Sequence, residues 1–230
     1  MVPKEYYGRL FTKEQLPVDY HSEAFTLESM IKVDKQLRCK RCYSQIEEDW
    51  QLPEGQYYCR ACIVFGRNQE GKELYYFPSK TSEIEFPVLK WLGELTPYQA
   101  EVSEKLLETY QKQKDSLVHA VTGAGKTEMI YKIVAYVLEN KGRVAIASPR
   151  VDVCRELFLR MQRDFTCSIS LLHAESEPYD GSPLVIATTH QLLKFYQNFD
   201  LVIVDEVDAF PFVGNVMLNH AVEQAKKETG

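Results

Sequence analysis

Four short, largely apolar runs punctuate the second half of the chain: VAIAS (144–148), SISLL (168–172), LVIA (184–187) and LVIV (201–204). A strand wetted on one face alternates apolar and polar residues, whereas one covered on both faces need not. Between the runs lie stretches of helical period. VSEKLLETY sets Val102, Leu106 and Tyr110 on one face, and KTEMIYKIVAYVLENKG lines up Met129, Ile130, Ile133, Val134, Val137 and Leu138, with Gly142 placed to end the helix. Covered strands alternating with helices predict a parallel sheet with helices on its faces, an α/β layer fold. A fifth apolar run, LVHAV (117–121), is a further strand candidate.

That fifth run leads into HAVTGAGKTEM (119–129), which matches the phosphate-loop pattern G-x-x-x-x-G-K-[ST] except that Ala120 stands at the first glycine. The substituted position lies before the bend, further from a phosphate than Gly123 or Gly125, so a methyl group is tolerable there. In the loop Thr122, Gly123, Ala124, Gly125, Lys126, Thr127, the two glycines permit positive φ and close approach of amides to phosphate oxygens. The helix that follows favours anions at its first turn. Lys126 can reach the β- and γ-phosphates, and the Thr127 hydroxyl can ligate Mg²⁺. The partner acids are in LVIVDEVD (201–208). A buried strand ending in an acid delivers that carboxylate to the sheet's C-terminal edge. Asp205 suits the Mg²⁺ contact, and Glu206 suits orientation and deprotonation of an attacking water. The cofactors expected are therefore ATP and Mg²⁺, and the reaction class is ATP hydrolysis.

Residues 39–62 carry CKRC and CRAC, a C-x2-C-x16-C-x2-C spacing that marks a four-thiolate Zn²⁺ site formed by Cys39, Cys42, Cys59 and Cys62. Two disulfides or unrelated core cysteines are the alternatives. MVPKEYYGRLF lacks the apolar stretch of a signal peptide, which makes a cytoplasmic, reducing compartment the expectation and argues against disulfides. Four thiolates leave no open coordination position, so the metal's role is structural. Cys154 and Cys167 have no partner spacing and are expected in the core, and His173 is expected to be structural. A turn at Leu52–Gly55 is expected to join strand-like IEEDWQL to QYYC, giving a zinc-ribbon-like β module. Tyr57, Tyr58, Tyr75, Tyr76 and Phe77 read as core rather than as stacking platforms for bases.

The formal net charge of -6 argues weakly against a nucleic-acid partner, but its distribution is uneven. Residues 31–72 carry eight Lys/Arg against six Asp/Glu, and five of the eight fall between Lys32 and Arg41. Four zones follow: an N-terminal extension (1–35), the cysteine module (36–72), a connecting segment (73–94) and the α/β lobe (95–230).

Beyond these readings, the motifs resemble superfamily 2 helicases and translocases, whose first lobe is RecA-like. LTPYQ (95–99) looks like their Q-type motif, which implies that Gln99 reads the adenine edge. ASPR (147–150) and ATTHQLL (187–193) sit where that family contacts DNA, which implies backbone contact by Pro149, Arg150, Thr188 and Gln191. The chain as a whole, through YYGRLFT, the four cysteines, LYYFP, KWLGELTPYQ, HAVTGAGKTEMIY, ASPRVDVCRELF and DEVDAFPF, resembles the ComFA-type competence DNA translocases of Gram-positive bacteria. That resemblance implies ATP-driven inward movement of single-stranded DNA during transformation. It also implies a position at the inner face of the membrane beside the uptake channel, a ComFC-type partner, and room for a homo-oligomer of the full-length form. Only 25 residues follow Asp205, too few for a second RecA-like lobe of on the order of 100 residues, so weak ATP binding and very slow hydrolysis are expected of these residues alone. A PriA-like replication-restart helicase or an RNA helicase fits the same loop and acids. From another class, residues 1–94 could serve as a zinc-dependent docking platform for a competence partner.

Overall fold

The computed structural model describes residues 1–81, 83–121, 123–207, 212 and 214–228. The four apolar runs become the sixth to ninth strands in the chain-order numbering used below, in which the first five strands lie N-terminal to the sheet. These are β1 (Leu10–Thr12), β2 (Phe25–Glu28), β3 (Met30–Val33), β4 (Gln36–Cys39) and β5 (Glu73–Tyr76). The sheet itself comprises β6 (Val144–Ser148), β7 (Ile169–Leu172), β8 (Leu184–Thr188) and β9 (Leu201–Val204), all parallel, in the order β7-β8-β6-β9.

Successive residues of β6 and β8 point to opposite faces and so divide two cores. Val144, Ile146, Leu184 and Ile186 pack with α3 (Tyr131–Glu139) and α4 (Val151–Asp164). Ala145, Ala147, Val185 and Ala187 face the other way, into a core shared with α5 (Val216–Ala225), Leu192, Leu193, Phe195 and Phe199. The same continuous core contains Met30, Ile46 and the four cysteines. The cysteine module is thus part of the layer that covers one face of the sheet. His220 of α5 stacks on Tyr43 at 5.1 Å between ring centroids, and its Nε2 lies 3.1 Å from the Lys40 carbonyl.

Strand β5 is the centre of a three-stranded antiparallel sheet with β1 and β2, so the chain on either side of the module pairs with itself. β3 and β4 form a hairpin whose two turn residues, Asp34 and Lys35, both have positive φ, 49° and 67°. That is the primed-turn geometry that matches strand twist. Gly8 fastens the N-terminal segment to the lobe. It has φ +70°, and a Cβ there would fall 1.9 Å from Asn198 Oδ1. Its amide donates to the Phe77 carbonyl, and its carbonyl accepts from Tyr196.

Three local expectations are revised. IEEDWQL does not form a strand. Glu48–Trp50 make one 3-10 turn with two acids in its first turn, where they suit the free amides, and Trp50 packs against the core that holds the cysteines. The expected turn at Leu52–Gly55 is present, with the Gly55 amide donating to the Leu52 carbonyl at 2.9 Å. The helix after the glycine loop divides at Ile130 into α2 (Lys126–Met129) and α3, and at its end Lys141, not Gly142, takes the left-handed conformation (φ 62°). Gly142 is needed for a different reason: its amide donates to the Val137 carbonyl at 2.9 Å, and a Cβ would crowd that oxygen. Finally, LVHAV (117–121) does not pair. Leu117 and Val121 are 82% and 75% exposed, and among the described residues the ladder stops at β9, whose four residues are all half-buried. A parallel strand gains its stability from a neighbour's open edge, and without that pairing these residues have nowhere to bury their apolar side chains.

Candidate functional site

The glycine loop is set by two left-handed residues, Gly123 at φ 81° and Gly125 at φ 74°. Among the described residues no atom lies within 4 Å of where a Cβ on Gly123 would stand, so they leave that side of the loop open to a ligand. Gly125 is closed on its outer side by Gln99, whose Nε2 would be 2.4 Å from a Cβ there. Gln99 sits in the first turn of α1 (Pro97–Gln111). Its Oε1 accepts the Thr96 amide at 2.9 Å, which completes a capping box, and its Nε2 donates to the Ala124 carbonyl at 2.9 Å. One side chain therefore caps a helix and clasps the loop. Lys126 is exposed and makes no ion pair among the described residues, and Thr127 is half-buried. Thr122 lies outside the described residues, as do positions 208–211 of the DEVDAFPF motif. The glycines, the free ammonium and the hydroxyl fit a magnesium-bound triphosphate in their chemistry.

The acids lie at the C-terminal end of β9, next to β6. The Asp205 amide donates to the Ala147 carbonyl at 2.8 Å, which carries the ladder one residue past the strand. Asp205 Oδ1 accepts the Glu206 amide at 3.0 Å. Glu206 has φ 57°, a strained value for a residue with a Cβ, and its Oε2 is sealed from solvent without a hydrogen-bond partner among the described residues. Its other oxygen lies 3.9 Å from Nη1 of Arg150, the residue that follows β6 and Pro149. Among the described residues no hydrogen bond or ion pair joins Lys126 or Thr127 to Asp205 or Glu206; the two halves are linked instead through α4, where Arg160 lies 3.6 Å from Glu128 of α2.

Of the four positions tied to DNA contact by resemblance, Arg150 is exposed and Pro149 half-buried. Thr188 and Gln191 are 9% and 6% exposed, because the turn Thr189–Lys194 folds back under the end of β8. In this arrangement neither offers a surface to a strand. The basic cluster is revised in the same way: Arg41 is fully buried, its Nη1 donating to the Gly66 carbonyl at 2.7 Å, and cannot contribute to an outer basic face.

The four cysteines are wholly buried, with all four sulfurs within 4.8 Å of one another. Cys39 lies 3.6 Å from Cys62 and Cys42 lies 3.5 Å from Cys59, too far for a disulfide bond of ~2.05 Å. A tetrahedron with ~2.3 Å zinc–sulfur bonds has edges of about 3.8 Å, so the cage fits zinc. Asn68 donates to the Cys39 sulfur at 3.1 Å, as suits a thiolate, and the neighbouring thiols, Cys42 first, hold Cys39 well below the ordinary thiol range. Four thiolates around Zn²⁺ leave a net -2, and the buried Arg41, between two ligand positions in the chain, brings a fixed positive charge into the same module. Cys154 and Cys167 pack with α3 and α4, and burial pushes both thiols up to about 11. His173 is buried, with Nδ1 accepting the Glu175 amide at 3.3 Å.

A glycine loop that opens a helix beside a parallel sheet, with an Asp-Glu pair at the adjoining strand ends, defines the class: a helicase-type α/β lobe, preceded here by a four-cysteine module. The family model described as type III restriction enzyme, res subunit, matches residues 92–220, more than half of the chain, and the chain belongs to that family. It is similar to competence protein ComFA of Streptococcus pneumoniae (strain ATCC BAA-255 / R6), with 57% identity over 98% of this chain and 52% of that protein. It is 35% identical to competence protein ComFA of Bacillus subtilis (strain 168), over 95% of this chain and 49% of that one. The chain thus spans about half the length of these curated relatives. Among solved structures, a nuclease-deletion mutant of the Type ISP restriction-modification enzyme LlaGI in complex with a DNA substrate mimic aligns at TM-score 0.32 and 16% identity, over 49% of this chain and 12% of that one. Among the described residues, no helix is long and apolar enough to cross a membrane.

Proposed function

We propose that the chain is the nucleotide-binding part of an ATP-dependent single-stranded DNA translocase that acts in DNA uptake. The observation that carries this reading is the loop Gly123–Thr127, with two left-handed glycines and Gln99 clasped onto Ala124. In this reading Thr122–Thr127 cradle the phosphates, Lys126 neutralises charge developing on the γ-phosphate, and Thr127 and Asp205 hold Mg²⁺. Glu206 orients and deprotonates the attacking water. Bound Mg²⁺ supplies charge neutralisation on the phosphate oxygens. Gln99 reads the adenine edge with the donor hydrogen its amide has left over. Zinc on Cys39, Cys42, Cys59 and Cys62 is structural.

Residues 95–230 form the motor lobe in this reading, 36–72 the zinc module, 1–35 an N-terminal extension and 73–94 the connecting segment. The partners are single-stranded DNA, through Arg150 and Pro149, a ComFC-type competence protein, and a membrane channel approached from the cytoplasmic side. The test is binding of a fluorescent ATP analogue with and without Mg²⁺, together with turnover of the full-length parent on single-stranded DNA, duplex and RNA. Lys126→Ala is expected to abolish binding, and Glu206→Gln to retain nucleotide without turnover. Equal analogue binding by the unaltered chain and Lys126→Ala refutes the site, and stimulation by RNA in place of DNA refutes the substrate.

A further inference from the structure

The loop that follows β7 and the N-terminal segment enclose a cavity of about 190 Å³ whose lining includes Arg9, His173, Tyr179, Glu177 and Lys194. None of these belongs to the nucleotide loop or the cysteine cage. Arg9 is delivered by the segment that begins at Gly8 and bridges Phe195, so its backbone lies against the residue that follows Lys194. Its guanidinium lies 4.9 Å from the Phe11 ring centroid and 5.9 Å from that of Tyr179, and its Nη1 donates to the Glu5 carbonyl. Its Nε is sealed from solvent without a hydrogen-bond partner among the described residues. The Lys194 ammonium lies 5.6 Å from the Phe65 ring.

Among the described residues neither cation is ion-paired with a carboxylate. Glu177, the acid in the lining, is exposed. Burial lowers the basicity of both cations, against Tyr179, Tyr6 and Glu5, which favour the charge on Arg9, and Arg9 lowers that of Lys194 further. Two like charges drawn together out of water cost free energy until an anion joins them. A guanidinium fork beside an ammonium matches phosphate oxygens. His173 adds a donor: its Nδ1 accepts the Glu175 amide, so in the neutral ring the hydrogen sits on Nε2. The volume is below the ~300 to 1,000 Å³ of ordinary small-molecule pockets, and suits a phosphate group rather than a whole nucleotide. The cavity opens at the C-terminal end of β7, the same edge of the sheet at which Arg150 follows β6 and Asp205 follows β9.

We infer that this cavity is a phosphate site, built by Arg9 and Lys194, that holds one backbone phosphate of the single strand lying along that edge. The strand assignment rests on the DNA-binding reading proposed above. The phosphate assignment does not. The experiment compares the chain with Lys194→Gln and with Lys194→Arg. Arg9 packs on two rings and is the riskier substitution, so Lys194 carries the test.

Inorganic phosphate, at constant ionic strength, is expected to raise the melting temperature of the unaltered chain and of Lys194→Arg more than that of Lys194→Gln. The difference is the signal, because phosphate stabilises folded proteins in general. Binding of a labelled oligothymidylate is expected to weaken in Lys194→Gln, and the slope of log affinity against log salt to become shallower by about 0.7, the value of one single-strand phosphate contact. Equal phosphate response in the chain and Lys194→Gln overturns the site. A Lys194-dependent phosphate response with an unchanged salt slope, or with no oligonucleotide binding at all, overturns the strand assignment and leaves free phosphate as the occupant. Failure of the nucleotide reading appears in a separate measurement, analogue binding to the unaltered chain.

Discussion

Arg150 Nη1 lies 3.9 Å from Glu206 Oε1, so the exposed cation at the end of β6 is tied to the acid at the end of β9. Arg150 also donates to Asp152 at 2.5 Å, and Glu206 holds its left-handed backbone while its second oxygen has no partner among the described residues. A carboxylate oxygen held by a guanidinium is turned away from other work. A strand phosphate that takes Arg150 would set Glu206 free. In the full-length parent, Arg150→Ala is therefore expected to raise the rate of ATP hydrolysis without DNA. Solvent screens an exposed pair of this kind, so the rise is expected to be no more than about fivefold. Stimulation by single-stranded DNA should shrink by the same factor. A basal rate that falls, with stimulation intact, sinks the coupling.

Gln99 does two jobs, and they can be separated. Gln99→Glu keeps an acceptor for the Thr96 amide but loses the hydrogen bond to the Ala124 carbonyl, while Gln99→Ala loses both. One neutral hydrogen bond contributes ~0.5 to 1.5 kcal/mol. Analogue affinity is expected to drop in both variants by about three- to tenfold, and the melting temperature to drop only in Gln99→Ala. Isothermal titration alongside thermal denaturation reads the two. If Gln99→Glu binds the analogue as tightly as the unaltered chain, the clasp has no part in nucleotide binding.

The parallel sheet was legible because β6 and β8 are buried on both faces and β9 half-buried on both, and all three show it as apolar runs. The four sulfurs were legible because a tetrahedral cage imposes a spacing on the chain. What escaped were features decided by the neighbours an element finds. LVHAV has the composition of a strand but lies outside the ladder. Arg41 reads as surface charge in a basic cluster, yet it is enclosed by the module. Gln191 reads as a polar contact, yet the turn that carries it folds under β8. The N-terminal extension has little periodicity of its own, because β1 and β2 take their register from β5, far along the chain. The meeting of Arg9 and Lys194 at one cavity left no local signal, since it depends on contacts between distant segments, the bridge from Arg9 to Phe195 and the Tyr196 amide on the Gly8 carbonyl.

Asp164 gives a prediction about acid stability. It is buried, accepts the Tyr131 hydroxyl at 2.6 Å and the Arg163 guanidinium at 2.8 Å, and is held below the usual carboxylate range by Arg163 first and then by Tyr131 against the opposing effect of burial. A depressed folded-state pKa stabilises the fold above the unfolded value near 4, and that contribution is lost as pH falls through the lower folded value. Asp164→Asn is expected to be less stable at pH 7 by ~1 to 3 kcal/mol, because it leaves Tyr131 and Arg163 without their charged acceptor. Its melting temperature should also fall less steeply than that of the unaltered chain below pH 4. Parallel acid limbs for the two proteins would show that Asp164 titrates normally.

The cysteine cage makes the strongest claim on stability. The four sulfurs lie in one core with Ala145, Ala187, Ala221 and Ala225, so the module and the sheet do not bury their apolar surface independently. Zinc on four thiolates contributes ~10 to 16 kcal/mol to folding in small modules, as much as the whole net stability of an ordinary domain, ~5 to 15 kcal/mol. Without the metal Cys59 and Cys62, pushed up by the neighbouring sulfurs, keep their protons, and Arg41 stays buried with two guanidinium nitrogens lacking partners among the described residues and less thiolate charge to balance it. Removal by a strong chelator, and separately Cys59→Ser, should therefore do more than loosen residues 36–72. Both should lower the melting temperature of the whole chain by more than 10 °C, a shift larger than ~1 kcal/mol produces in a protein of this size. Metal analysis is expected to find one zinc per chain before chelation. If the metal leaves and the lobe melts at its original temperature, the shared core is not what holds the two parts together.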